Sequence, residues 1–206
     1  MYRKFFKRLI DVVLSFLGII LLSWLFLIIA VLIKIDSKGP VFFKQKRVGI
    51  HKTYFYMLKF RSMRTDTPKN MPTHLLNNAE SHITKVGKVL RKLSLDELPQ
   101  MLNILKGDMS IIGPRPALWN QDDLIAERDK YGANDVKPGL TGWAQINGRD
   151  ELPIDVKARL DGEYVSSMGF IFDLKCFFGT IISVLKSDGV VEGGTGAIEE
   201  KEYVNK

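Results

Sequence analysis

Asp96 and Glu97 are neighbouring carboxylates, and the guanidinium of Arg115 follows them within the 23-residue stretch Ser94 to Pro116. Such a set suits phosphoryl chemistry. An ionised carboxylate can attack phosphorus when a cation neutralises the phosphoryl oxygens and the leaving group is good. A second carboxylate is a hard oxygen ligand for Mg²⁺, which takes one or two of them and completes its shell with water and phosphate. A forked guanidinium matches phosphate geometry. Further cations stand in three groups: Lys59, Arg61 and Arg64; Lys85, Lys88, Arg91 and Lys92; and Lys137 with Arg149. His51, His74 and His82 show no metal-ligand spacing. The single cysteine, Cys176, excludes an intrachain disulfide and fits a reducing compartment.

The elements that must position the carboxylates can be read around them. Ser94 followed by Glu97 is a capping-box pattern, and Leu98, Met101, Leu102 and Leu105 recur at helical spacing. A helix is therefore expected to start at the carboxylates, its dipole keeping Asp96 ionised, and to stop at Gly107. In the plainer reading Glu97 is a capping acid only. Met109 to Ile112 is a short apolar run leading into a rigid loop, Gly113-Pro114-Arg115-Pro116. Folded back, that loop would bring Arg115 to any anion held at the carboxylate end. Upstream, Val41–Lys46 and Thr53–Phe60 are β-prone and bracket the turn Val48–Lys52, a hairpin that runs into Lys59 and Arg61. The plainer reading of those cations is a solvated edge strand. Ile83–Lys92, Trp119–Tyr131 and Leu152–Tyr164 read as helices. Lys137–Arg149, with three glycines and Pro138, reads as a tight loop bringing backbone N–H groups near a ligand, and it matches neither a Walker loop nor a dinucleotide fingerprint.

Leu9 to Ile33 is a 25-residue apolar stretch, interrupted by Asp11 and by small residues such as Ser15, Gly18 and Ser23. It exceeds the roughly 20 residues that cross a bilayer, and it is too long, and lacks a small-residue site, for a cleaved signal peptide. Lys4, Lys7 and Arg8 precede it; Lys34, Lys38, Lys44, Lys46 and Arg47 follow. Positive charge on both flanks places both ends in the cytoplasm. A re-entrant helix bent near Ser23 is therefore expected, with a straight span as its rival. Asp11, one turn after Lys7 and Arg8, reads as an interfacial ion pair with them. Phe170–Lys186 is either an amphipathic helix in the membrane interface or a core helix. The net charge of +7 points to anionic partners. Nucleic acid is not expected, because the cations cluster beside carboxylates and a membrane segment and no nucleic-acid motif is present.

From about Lys7 to about Val191 the chain resembles the bacterial sugar transferases, monotopic phosphoglycosyl transferases that load the first sugar phosphate onto a polyprenol phosphate. The resemblance is carried by Ser94–Pro116, by Lys59-Phe60-Arg61-Ser62-Met63, by Lys137–Arg149 almost residue for residue, and by Lys7, Arg8 and Asp11. It implies an α+β, mainly helical fold. An N-terminal re-entrant membrane helix (1–35) would pack on a small cytoplasmic catalytic domain (36–191) with a β-hairpin and amphipathic interfacial helices, followed by a flexible tail (192–206). It implies that Asp96 attacks the sugar-linked phosphate of a UDP-sugar and releases UMP, and that polyprenol phosphate resolves the aspartyl-phosphosugar. Glu97 would be the Mg²⁺ ligand. Lys59, Arg61, Arg91 and Arg115 would face phosphate, and Lys137, Thr141, Gln145 and Arg149 would belong to the nucleotide-sugar site. The family's helix break is a Ser-Pro pair, which here reads Ser23-Trp24. The implied partners are UDP-sugar, polyprenol phosphate, membrane lipids and downstream glycosyltransferases, at the cytoplasmic face of a bacterial inner membrane. The implied product feeds capsule, exopolysaccharide, O-antigen or glycoprotein synthesis. The rival is a catalytically silent membrane-bound scaffold of such a pathway, against which the intact Asp96-Glu97 pair argues.

Overall fold

The apolar stretch forms one unbroken α-helix, α1 (Lys7–Asp36), in a computed structural model that describes residues 1–68, 79–148 and 152–186. A turn of π-helix, Tyr2–Phe6, precedes it. Asp11, Ser15, Gly18, Leu22, Phe26, Ile29 and Ile33 recur every three or four residues and form the half-buried to buried stripe of α1. That stripe is docked along its whole length. The Ile111 N–H donates to Asp11 at 2.9 Å, Gly18 lies against Met101, the Phe26 ring meets Phe60 edge-on at 5.2 Å, and Ile29 and Ile33 pack with Phe60 and Leu90. At 1.5 Å per residue the docked line is about 33 Å long. The other faces are apolar and unpacked: Leu21, Trp24, Leu27 and Ile35 are 62–78% exposed.

Two expectations about α1 are corrected here. The helix does not break at Ser23, whose hydroxyl donates to the Ile20 carbonyl at 2.8 Å. With tryptophan in place of proline at position 24, no backbone donor is lost and no ring clashes with the preceding turn. Nor does Asp11 form an ion pair with Lys7 and Arg8. Docking buries Asp11 against the strand at Ser110–Ile112, where the Ile111 N–H meets it, while Lys7 reaches Asp173 at 2.7 Å and Arg8 caps the carbonyls of Ile104 and Leu105.

The chain then forms an antiparallel hairpin, β1 (Phe42–Val48) and β2 (Tyr54–Phe60), with Phe42 opposite Phe60. Alternation sends Phe55 and Met57 onto Ile104 and Met109, while Phe60 faces α1. After α2 (Ala79–His82), α3 (Lys85–Lys92) starts at Thr84, whose hydroxyl accepts from the Gly87 N–H. A 3₁₀ turn, Leu95–Glu97, leads into α4 (Gln100–Lys106), which ends at Gly107 in the left-handed region, as the sequence indicates.

The expected loop at 137–149 holds more order than its pattern shows. Its first part is β4 (Gly139–Thr141), paired parallel with β3 (Ser110–Ile112), and α6 (Trp143–Ile146) follows. Glycine is required at this crossing: a Cβ on Gly139 would lie 2.1 Å from the Gly113 nitrogen, and one on Gly142 2.1 Å from the Gly113 oxygen. α5 is shorter than expected, Asp122–Asp129, and α7 spans Ile154–Ser167. Arg128 on α5 grips Asp161 on α7 with bonds of 2.6 and 2.8 Å, both side chains buried. α8 (Phe170–Lys186) is amphipathic rather than a core helix. It buries Asp173 and Cys176 and exposes Phe170, Ile171, Phe178 and Ile182. Asp173 accepts from Tyr2, Lys7 and Tyr164 and so fastens the start of the chain to α7 and α8. The architecture is α+β and mainly helical, as expected; the expected tail, 192–206, lies outside the described residues.

Candidate active site

The capping box at Ser94 does not form. Ser94 sits in the left-handed region at φ 54° with no side-chain bond to the next turn, and regular helix begins only after Pro99. Two cations take the Glu97 carboxylate instead: Lys59 Nζ at 2.7 Å and Arg115 Nη2 at 3.1 Å, both on Oε1. Charge-assisted bonds of this kind outweigh the single neutral N–H that a capping box offers. Asp96 lies beside this group, buried at 7% exposure within reach of the charges of Lys59, Arg91 and Arg115.

Each cation arrives on a different element. Lys59 is on β2, whose outer edge is paired by the Asn103 amide. Asn103 accepts from the Leu58 N–H at 2.9 Å and donates to the Tyr56 carbonyl at 2.8 Å. A side chain of α4 thus acts as one residue of extra strand and fixes the register between Lys59 and the carboxylates that precede α4. Arg115 lies on the Gly-Pro-Arg-Pro loop, folded back as the sequence suggests. The Gly113 N–H donates to Thr141 and the Gly139 N–H to Pro114, each at 2.8 Å. Arg91 comes from α3.

The two carboxylates are driven apart in acidity. Burial pulls Glu97 up, but the charges and hydrogen bonds of Lys59 and Arg115 more than offset this and hold it well below the usual carboxylate range. For Asp96 burial dominates and raises the pKa; Lys59, Arg91 and Arg115 pull it down, while Glu97 pushes it further up. The helix dipole expected to keep Asp96 ionised is replaced by a buried 3₁₀ turn. Adjacent groups with separated pKa values are the arrangement in which one carboxylate stays a fixed anion and the other is available to react.

Not every expected residue comes to this site. Arg61 is turned to the C-terminal end of α1, donating to the carbonyls of Lys38, Ser37 and Ile33. Its expected place toward phosphate is corrected to a helix cap, because α1 ends beside β2 and leaves carbonyls there that need donors. Lys137 lies at the far end of α4, by Gly107 and Arg8, where burial and the Arg8 charge lower its pKa. Thr141 is buried and bonded to Thr180 at 2.7 Å, and Gln145 is buried on α6. Arg149 lies outside the described residues. Burial pushes the Cys176 thiol up to about 12, which leaves it inert. Among the described residues no group of three or more His, Cys, Asp or Glu side chains could hold a metal.

The site and the helix that underlies it define a membrane-associated α+β protein with paired carboxylates ringed by cations. The chain belongs to the bacterial sugar transferase family, whose model matches residues 2–187. It is 41% identical over 184 residues to EpsL of Bacillus subtilis, an uncharacterised sugar transferase, covering 89% of each chain. It is 36% identical over 197 residues to the exopolysaccharide production protein ExoY of Sinorhizobium fredii, covering 89% of this chain and 87% of that one. It is 38% identical over 191 residues to the UDP-glucose:undecaprenyl-phosphate glucose-1-phosphate transferase of Escherichia coli, covering 86% of this chain but only 40% of that protein.

Proposed function

We propose that this chain transfers a sugar-1-phosphate from a UDP-sugar to a polyprenol phosphate through an aspartyl intermediate. One observation carries the reading: Asp96 and Glu97 stand side by side in a buried turn, with Lys59 and Arg115 already on Glu97 and Arg91 close by. Asp96 attacks the phosphorus that bears the sugar. The new bond joins an Asp96 oxygen to phosphorus, the phosphoanhydride bond breaks, and UMP leaves. A phosphate oxygen of the polyprenol phosphate then attacks the same phosphorus and frees Asp96. Lys59, Arg91 and Arg115 neutralise the phosphoryl oxygens, and a buried, preorganised charge field of this type contributes most where negative charge develops.

Glu97 offers a hard oxygen donor, which suits Mg²⁺ held by one or two carboxylates rather than a cage built wholly from protein. Bound there, Mg²⁺ would neutralise diphosphate charge. Lys59 and Arg115, with Arg91, are the chain's own cations for the substrate phosphates. The domain plan of the sequence (1–35, 36–191 and 192–206) is kept in this proposal, with the first part as the membrane element.

For the membrane element, the docked stripe supports an in-plane placement. A helix held to one domain over about 33 Å cannot cross a bilayer while that domain stays in water. α1 therefore lies along the membrane face of the domain with both ends cytoplasmic, and α8 lies in the same interface through its exposed apolar face. In this proposal the site works at the cytoplasmic face of a bacterial inner membrane, where UDP-sugars are found, and the product feeds glycan assembly. Purified protein incubated with UDP-sugars and polyprenol phosphate should release UMP and form a polyprenol diphosphate sugar. A protein that releases no UMP from any UDP-sugar contradicts the proposal.

A further inference from the structure

We propose that the outward face of the β1–β2 hairpin is a second membrane contact, seated in the headgroup zone of an anionic bilayer. The inference rests on the reading that α1 lies along the membrane face of the domain. The strand register puts Phe42, Lys44 and Lys46 on one side of the sheet together with Phe60, Leu58 and Tyr56, their direct partners. Phe60 is the end of this face that α1 covers: Phe26 packs on it, and Phe42 stacks on it at 5.5 Å. The same surface then continues outward from beneath α1 to Tyr54, about 20 Å along the strand.

What it exposes there is unusual for a water-facing sheet. Tyr54, Tyr56, Phe42 and Trp119 are 58%, 62%, 41% and 37% exposed. Lys46 sits between two of them, with its ammonium 4.2 Å from the Tyr54 ring and 5.1 Å from the Trp119 ring. Lys44 is exposed beside them. Tyr and Trp place an apolar body and a polar tip at a bilayer interface, and lysines lay an apolar stem toward lipid with the ammonium at phosphate. At the hairpin tip Asp129 is paired by Lys52 at 2.9 Å, and Asp135 bonds the His51 ring at 3.0 Å. The hairpin is held along its edge by Asn103. The patch is continuous with the membrane helix and carries two lysines for anionic phosphates, which selects a lipid surface over an acidic protein.

The test uses the full chain in lipid nanodiscs, with an environment-sensitive fluorophore on Tyr56→Cys; native Cys176 is buried and does not compete for label. In discs containing phosphatidylglycerol the emission should shift to the blue and resist quenching by aqueous iodide, and in pure phosphatidylcholine both effects should weaken. Lys44→Glu with Lys46→Glu should reduce the protection in the anionic discs. A second reading, independent of the cysteine, is quenching of Trp119 by lipids brominated near the headgroup, after Trp24→Phe and Trp143→Phe. A probe at position 56 that iodide quenches freely in both disc types, or Trp119 untouched by brominated lipid, overturns the proposal. Equal protection in both lipids overturns its anionic part. UMP release is measured on the same discs, so a failure of the catalytic reading is seen separately from a failure of this one.

Discussion

Arg61→Ala separates the two roles that the Lys59–Arg61 segment invites. In the structure the Arg61 guanidinium is 4% exposed as a residue and donates at 2.5 Å to Lys38, at 2.7 Å to Ser37 and at 3.4 Å to Ile33. The first two come from a charged donor and are worth about 1.5–3 kcal/mol each, and the third is too long to count. Removal should therefore cost about 3–6 kcal/mol, a large part of a typical domain's total stability. At roughly 2–4 °C per kcal/mol for a chain of this size, thermal unfolding in detergent should drop by about 6–24 °C. Arg61→Lys should recover part of the loss, since one ammonium can serve one or two of the carbonyls. The KM for UDP-sugar, measured below the unfolding range, should stay near the parent value. An unchanged melting temperature with a selectively raised KM would contradict the capping role and return Arg61 to the phosphate.

The remaining predictions concern the site and its supports. Because burial raises the Asp96 pKa, kcat/KM should fall as pH drops through a value above the ordinary 3.8, and an acid limb at or below 3.8 would contradict the burial argument. The same shift has a stability sign: a raised folded pKa means that ionised Asp96 opposes folding above that pKa. Asp96→Asn should therefore unfold at a higher temperature at pH 7, with the gain vanishing in acid; a destabilised variant at pH 7 would count against it. Glu97 has the opposite sign, since its lowered pKa gives stability that is present above the unfolded value and lost as pH falls through the folded one. Glu97→Ala should then remove the anion that Lys59 and Arg115 share and cost about 3–5 kcal/mol by chemical denaturation, as breaking buried pairs does, and a cost within error of zero would deny the pair. Asn103→Leu should lower kcat more than it raises KM, because Lys59 loses its register, while a change in KM alone would mark a binding role.

The parts of this molecule that the sequence makes legible are those carried by local pattern. The hairpin, the stop at Gly107, the start of α8 and the fold-back of Arg115 follow from strand alternation, glycine chemistry and a proline-flanked arginine. What was not legible depends on partners far away in the chain. Glu97 looks like a capping acid until Lys59 and Arg115 arrive. Arg61 looks like a phosphate ligand until the end of α1 lies beside β2 and presents its carbonyls. Asp11 meets a backbone N–H one hundred residues away. Asn103 gave a faint signal as an amide between Leu102 and Ile104, and Asp173 another as an acid in an apolar helix. Neither pattern says which edge or hydroxyl will satisfy it. The straightness of α1 is decided in the same way, by a stripe that finds partners along its full length.

The most direct test of the central claim is intact-mass analysis of the protein mixed with a UDP-sugar in the absence of any acceptor. One equivalent of UMP is expected, with a mass increase of one sugar phosphate on the chain, loss of that adduct when polyprenol phosphate is added, and neither UMP nor adduct with Asp96→Asn. UMP that appears only when the acceptor is present, with no adduct at any time and with Asp96→Asn still active, would contradict it.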